Sequence, residues 1–221
     1  MVATKAPKPA KAPSGKASNS AGRVIAGIAK GRALVSPGEG TRPLGDRVKQ
    51  TLFAILEPTI RGRAFLDVFA GSGAAGIEAL SRGAASAVFV ERDASAVAAI
   101  QRNLAATGLA GVAARVDRSQ VGTWFNALVK GDGRPAGPFA AILIDPPYDL
   151  PELLEAALES IASAGPGVIL ERGGVAVAKH FSKTPPPARI GLLRSARERR
   201  FGETTLTFLR WADPEEGEED R

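Results

Sequence analysis

Three groups of residues could do chemistry, and each stands at the end of an apolar run. The first is Gly71-Ser72-Gly73, with Gly76 three residues on, following the run 64–69. Glycines let a backbone approach a ligand where a Cβ would clash, and they accept positive φ at little cost. Unpaired N–H groups at the start of the next helix then face whatever is bound. The second is Glu91, closing the run 87–90, where a carboxylate can accept from both hydroxyls of a ribose. The third is Asp145-Pro146-Pro147-Tyr148, reached directly from the apolar stretch 139–144. Two prolines of fixed φ stiffen that turn and aim Asp145 and neighbouring carbonyls as acceptors. Strand, glycine turn, helix, strand and terminal carboxylate over residues 63–92 is the plan of a nucleotide-binding βαβ unit. Something adenosine-like is expected there.

The spacing of Gly71, Gly73 and Gly76 also satisfies a dinucleotide fingerprint, so a nicotinamide dehydrogenase is an alternative. Asp67 weighs against it. Four residues ahead of Gly71, its carboxylate suits the cationic or amine groups of an amino-acid moiety and would repel a pyrophosphate. Nothing downstream looks like hydride chemistry, since no Tyr-x-x-x-Lys occurs and the one histidine, His180, lies far along the chain.

These residues need a sheet whose strands end together, and the rest of the chain supplies one. Residues 23–37 read as two short strands about a turn at Lys30-Gly31. An amphipathic helix starts near Asp46, with Val48, Leu52, Ile55 and Leu56 on one face and Pro58 marking its end or a kink. Further helices are expected from the glycine turn to Arg82, over 94–107 with Gly108 as the stop, over 121–129, and from Pro151 to about 161. Strands are expected over 112–116, 139–144 and 175–179. Two more are expected near 189–195 and over 204–211, with a basic turn at 197–202 between them. Strands alternating with helices give a parallel sheet covered on both faces. Ligands in such sheets sit at the carboxyl ends of the strands, beside the point where strand order reverses. Gly71, Glu91 and Asp145 all fall at carboxyl ends and should share one crevice.

Composition narrows the chemistry. The 221 residues suit one domain with appendages, and no continuous apolar stretch is long enough to span a membrane. There is no cysteine, which excludes disulfides, thiolate metal sites and a cysteine nucleophile, and one histidine cannot build a metal site. No metal is expected. Residues 1–22 carry four lysines and no acid, lack the apolar core of a secretory signal, and read as a disordered basic tail. Residues 213–221 form an acidic tail of net −5, leaving +11 on residues 1–212. A body this basic favours a polyanion, nucleic acid before membrane. Arg23, Lys30, Arg32, Arg42, Arg47 and Lys49 are the candidate contacts, the last three because cations at a helix start do nothing for its dipole.

The Asp-Pro-Pro-Tyr sequence resembles the [Asn/Asp]-Pro-Pro-[Tyr/Phe] motif of S-adenosylmethionine-dependent methyltransferases that modify exocyclic amino groups of bases. Further motifs follow in one order: Thr41-Arg42-Pro43, Asp46-Arg47-Val48-Lys49, Thr51-Leu52-Phe53, Leu66-Asp67, Phe69-Ala70-Gly71-Ser72-Gly73, Glu78-Ala79-Leu80-Ser81-Arg82-Gly83-Ala84 and Asn103-Leu104. Over residues 23–210 the combination resembles the bacterial 16S ribosomal RNA guanine-N2 methyltransferase family. That resemblance implies an α/β fold, the class I seven-stranded sheet with its last strand antiparallel, plus a small N-terminal hairpin. It implies an RNA-contacting hairpin at 23–40, a methyltransferase domain at 41–212, and S-adenosylmethionine as cofactor. The partner is 16S rRNA within the 30S subunit or a late assembly intermediate, met by a cytoplasmic monomer. Asp67, Ala70, Gly71, Ser72, Gly73 and Glu91 would line the cofactor site, flanked by Phe69, Gly76 and Arg92. Asp145, Pro146, Pro147 and Tyr148 would hold the base, with Tyr148 as a stacking platform. The same chemistry on DNA adenine N6 or cytosine N4 is an alternative. So is an inactive RNA-binding module, which the intact Asp67, Glu91 and Asp145 disfavour.

Two positions depart from the family pattern. Where relatives place Asp or Asn followed by Ala to meet the adenine amine, this chain has Asp117-Arg118-Ser119-Gln120, so Ser119 or Gln120 is the candidate. Where many relatives end the fifth strand in Glu-His, it has Lys179-His180, with His180 expected to be structural or exposed. Neither change is expected to touch the chemistry.

Overall fold

The computed structural model describes residues 20–38, 44–111, 113–131 and 137–212. Arg42, residues 1–19 of the basic tail and the acidic tail from 213 lie outside the described residues. The N-terminal hairpin starts earlier than expected. Strand β1 (Ser20–Arg23) pairs antiparallel with β2 (Ala33–Val35), because Ala21, Val24 and Leu34 reach into the main core.

Helix α1 (Asp46–Ile60) continues two residues past Pro58, and Leu52, Phe53, Leu56 and Ile60 form its buried face. The nucleotide-binding unit follows as β3 (Ala64–Val68), α2 (Ala74–Ser81) and β4 (Ser86–Glu91). Next come α3 (Ala94–Thr107), β5 (Ala114–Arg118), α4 (Val121–Lys130), β6 (Phe139–Ile144) and α5 (Pro151–Ala164). The chain closes with β7 (Leu170–Phe181), β8 (Arg189–Ile190), β9 (Leu193–Phe201) and β10 (Thr204–Trp211).

The eight-stranded sheet runs β5-β4-β3-β6-β7-β10-β9-β8. Strands β5, β4, β3, β6 and β7 are parallel, and β10 lies antiparallel between β7 and β9. These are the seven strands expected, with the two-residue β8 added at the edge. Strand β5 lies two residues later than the expected 112–116, and the strand expected near 189–195 is divided between β8 and β9. Strand β7 starts five residues before the expected 175, so Gly173-Gly174 lies inside it at a register shift, where a Cβ on Gly174 would come within 2.6 Å of Leu170. The basic stretch at 197–202 is mostly strand: Arg197, Arg199 and Arg200 pair with Phe208, Leu206 and Thr205 of β10, and the turn is confined to Gly202 and Glu203.

Helices α1, α2 and α3 with the hairpin bury one face of the sheet, and α4 and α5 the other. Strand β6 lies between both cores, Ala141 and Leu143 facing one and Ile142 and Ile144 the other, so its sequence has no polar alternation. From β3 the chain steps outward to β4 and β5, then returns to pair β6 on the other side of β3. The crevice therefore opens beyond the carboxyl ends of β3 and β6. No helix among the described residues is long and apolar enough to cross a membrane.

Candidate functional site

The turn after β3 is shaped by its own backbone. Phe69 has φ 64°, a costly value for a bulky residue, and its N–H and that of Ala70 both reach the Val90 carbonyl, at 3.1 and 3.2 Å. Gly71 (φ 53°) and Gly73 (φ 75°) carry the chain into α2 in the left-handed region. A Cβ at Gly71 would point into open space, so the backbone is exposed there to a ligand. Gly76 serves packing instead. A Cβ there would lie 2.2 Å from the Phe89 ring, and neither Gly73 nor Gly76 lines the cavity.

Glu91 braces this turn from β4. Its Oε2 accepts from Gly71 N–H at 2.9 Å, and its Oε1 from the N–H groups of Arg92 and Asp93 at 2.8 and 2.9 Å. Asp67 is buried and accepts from Gly76 N–H at 2.9 Å. Burial pushes its carboxyl up to about 8, the Gly76 bond opposing and the charges of Asp145 and Glu91 adding to the rise.

The Asp-Pro-Pro-Tyr turn meets the glycine bend directly. Asp145 N–H donates to the Val68 carbonyl at 3.3 Å across the β3–β6 junction. One cavity of about 760 Å³ is lined by Asp67, Phe69 to Ser72, Glu91, Arg92, Ser119, Gln120 and all of Asp145 to Tyr148. Sequence reasoning missed further parts of its wall, among them four that follow. These are Ser36 to Gly38 after the hairpin, Gly122 and Phe125 of α4, Ala156 and Ser160 of α5, and Lys179.

Lys179, where the chain departs from the family pattern, meets the Asp-Pro-Pro-Tyr turn. Its Nζ lies 2.5 Å from Asp145 Oδ1 and 4.6 Å from the centroid of the Tyr148 ring. Burial pushes the Asp145 carboxyl above the usual range, and the Lys179 ammonium offsets part of that. For Lys179, burial is the largest single influence and disfavours the charge, but Asp145 and Tyr148 together hold the ammonium above its ordinary value. Its neighbour His180 is buried, with ring nitrogens 2.9 Å from the Phe181 carbonyl and from Thr207 Oγ1, so it is structural.

Asp117 is committed elsewhere: Arg115 Nε donates to Oδ1 at 2.8 Å and Trp124 Nε1 to Oδ2 at 2.7 Å. Ser119 and Gln120 are left at the cavity wall, and Ser119 N–H donates to the Glu91 carbonyl at 3.0 Å.

The candidate polyanion contacts divide. Lys49 is fully buried and donates to the Arg23 carbonyl at 2.5 Å, so it cannot reach a phosphate. Its aliphatic stem lies on the apolar face of α1, in phase with Leu52, Phe53 and Leu56, where its charged head disguises a buried position. Arg23 pairs with Asp46 at 3.2 Å yet stays largely exposed, and Lys30, Arg32 and Arg47 are exposed. The hairpin itself is pinned by side chains. Glu78 accepts from the N–H groups of Ile25 and Ala26, while Asn103 pairs with both backbone groups of Val35 and donates to the Ser72 carbonyl.

Comparison with known proteins matches residues 22–210 to the family described as conserved hypothetical protein 95. The Bacillus subtilis protein YlbH, provisionally named an rRNA methyltransferase, is 38% identical over 189 residues, covering 85% of this chain and 98% of its own length. Ribosomal RNA small subunit methyltransferase D of Escherichia coli is 39% identical over 127 residues, 57% of this chain and 60% of that protein. Among solved structures, Escherichia coli yhhF, provisionally named a methyltransferase, superposes with a TM-score of 0.72 at 29% identity. That superposition covers 86% of this chain and 98% of that one.

Proposed function

The chain belongs to the conserved hypothetical protein 95 family, and on that premise we propose that it is an rRNA methyltransferase. Its reaction is transfer of a methyl group from S-adenosylmethionine to the exocyclic N2 of a guanine in 16S rRNA of the small subunit. One observation carries this reading: the glycine turn with Glu91 and the Asp-Pro-Pro-Tyr turn open on the same cavity.

The residues present fit such a cofactor. Gly71 offers a backbone with no Cβ in the way, Glu91 offers a carboxylate at the end of β4 for ribose hydroxyls, and Asp67 offers a carboxyl for the amino-acid moiety. Ser119 and Gln120, on the same cavity wall, would meet the adenine end, with Phe69, Ala70, Ser72 and Arg92 completing the wall. When bound, S-adenosylmethionine supplies a methyl group on a sulfonium, and the bonding pair stays with the departing thioether.

Asp145 accepts a hydrogen bond from the amine, which turns the nitrogen lone pair out of conjugation with the ring. It also offsets the positive charge developing on that nitrogen, and its carboxylate or water takes the proton the methylated nitrogen sheds. Tyr148 gives the flipped base a ring to stack on, and Pro146 and Pro147 hold the turn rigid. Positioning supplies most of the acceleration, because the leaving group is already activated.

Arg23, Lys30, Arg32 and Arg47 contact phosphates without reading sequence, and the chain acts as a monomer on the 30S particle or a late precursor in the cytoplasm. The test is incubation of 30S particles lacking the modification with labelled S-adenosylmethionine, then mapping by mass spectrometry. Label on the N2 of one 16S guanine supports the reading. No incorporation, or label on another atom, overturns it.

A further inference from the structure

Lys179 is a cation in a strand whose neighbours are apolar: Val175, Ala176, Val177 and Ala178 are all buried. An ammonium placed there is costly unless it is paired and hydrogen-bonded. Among the described residues its ammonium meets Asp145 and Tyr148, both on the turn that would hold the base. Nζ donates to Oδ1 of Asp145 at 2.5 Å and lies over the Tyr148 ring, 4.6 Å from its centroid. Tyr148 is held at two further points. Its hydroxyl is 2.8 Å from Thr204 Oγ1 on β10, and its ring meets Phe181 at 6.3 Å between centroids, tilted by 43°.

We propose that Lys179 is the positioning residue of the base subsite, fixing Asp145 by Oδ1 so that Oδ2 meets the substrate amine, and clamping Tyr148 as the stacking platform. This rests on the reading of the site as an amino-methylating one. A carboxylate free to rotate presents either oxygen over a range of angles. With Oδ1 engaged by a charge-assisted bond, the other oxygen makes no hydrogen bond among the described residues and has one direction to offer. The same ammonium covers part of one face of the Tyr148 ring, so an incoming base stacks on the uncovered part. Loss of a single side chain would therefore loosen acceptor and platform together. The charged groups facing Asp145 are Lys179 and Asp67, with Tyr148 against Lys179. Removing Lys179 leaves a buried carboxyl with no counter-charge, which then protonates at higher pH and ceases to accept.

The experiment compares the wild-type chain with Lys179→Met and Lys179→Arg. Tyr148 is the sole tyrosine, so protein grown on 3-fluorotyrosine gives one fluorine resonance that reports the platform without any RNA. Expected for Lys179→Met are a shifted or broadened resonance, unchanged melting temperature and S-adenosylhomocysteine affinity, and a fall in kcat on 30S particles on the order of 10–100-fold. Its kcat profile also loses activity at higher pH on the acid side, and Lys179→Arg recovers part of kcat and the original limb. An unmoved resonance with unchanged kcat overturns the proposal. So does a fall in kcat matched by loss of S-adenosylhomocysteine affinity, or one that follows a lower melting temperature. A wild-type chain that methylates nothing in the 30S particle sinks the proposed function instead, while the resonance still tests the clamp.

Discussion

The two halves of the cavity are built differently. The glycine half is shaped first by backbone, Phe69 and Ala70 bonding to Val90 and Gly73 to Ala70, and its side-chain braces, Glu91, Asp67 and Asn103, hold backbone groups of the turn and of α2. The base half is shaped by side chains from far along the chain. Asp145 is gripped by Lys179, thirty-four residues on, and Tyr148 by Thr204, fifty-six residues on. Backbone-built geometry is robust to most substitutions but intolerant of an added Cβ at the close approaches. Geometry built from side chains is tuned by single residues, so it is where relatives of one family can differ.

Substitutions in the two halves should separate accordingly. The largest effect is expected from Asp145→Ala, which should lower kcat by on the order of 10²–10³-fold, while S-adenosylhomocysteine affinity by calorimetry changes little. Retention of turnover within a few-fold would remove Asp145 from its role. Gly76→Ala drives a methyl into the Phe89 ring and should cost about 1–3 kcal/mol of stability in denaturant melts. An unchanged midpoint would show that α2 can slide away from β4.

Asp67→Asn probes the same half by pH. A buried carboxyl raised to about 8 stays protonated in the folded chain after the unfolded chain has ionised. Its contribution is thus fully present below the unfolded value and is lost as pH rises towards 8, by ~1.4 kcal/mol per pH unit. The variant, which cannot ionise, should melt several degrees above wild type at pH 8 and match it near pH 4. Equal melting at both would show that folding does not raise the Asp67 carboxyl. The smallest effect is expected outside the cavity. Arg32→Glu should raise KM for 30S particles a few-fold, more at low salt, with kcat unchanged. An equal rise at every ionic strength would argue against a phosphate contact.

The same contrast governs what the chain discloses before it is folded. Glycine spacing, Glu91 at a strand end and the apolar runs on either side have local causes, so the βαβ unit and the crevice beyond it are legible. The helix 94–107 is legible to the residue, because Asp93 caps it by accepting from Ala96 N–H and Gly108 ends it at φ 73°. Lys179 is not legible, since its meaning depends on β6 lying beside β7 and delivering Asp145 next to it. Lys49 is hidden for a similar reason. Its position is in phase with Leu52, Phe53, Leu56 and Ile60, but its charge marks it for solvent, and the Arg23 carbonyl that receives its ammonium comes from the hairpin, twenty-six residues away. The arginines of β9 read as a turn because only the register with β10 extends them into a strand.

A structure of the chain with S-adenosylhomocysteine bound tests the central claim most directly. The account predicts ribose hydroxyls on Glu91, the amino-acid end at Asp67, and the sulfur facing Asp145 across the cavity. A ligand seated with its sulfur turned away from Asp145, or bound outside the crevice between β3 and β6, would contradict it.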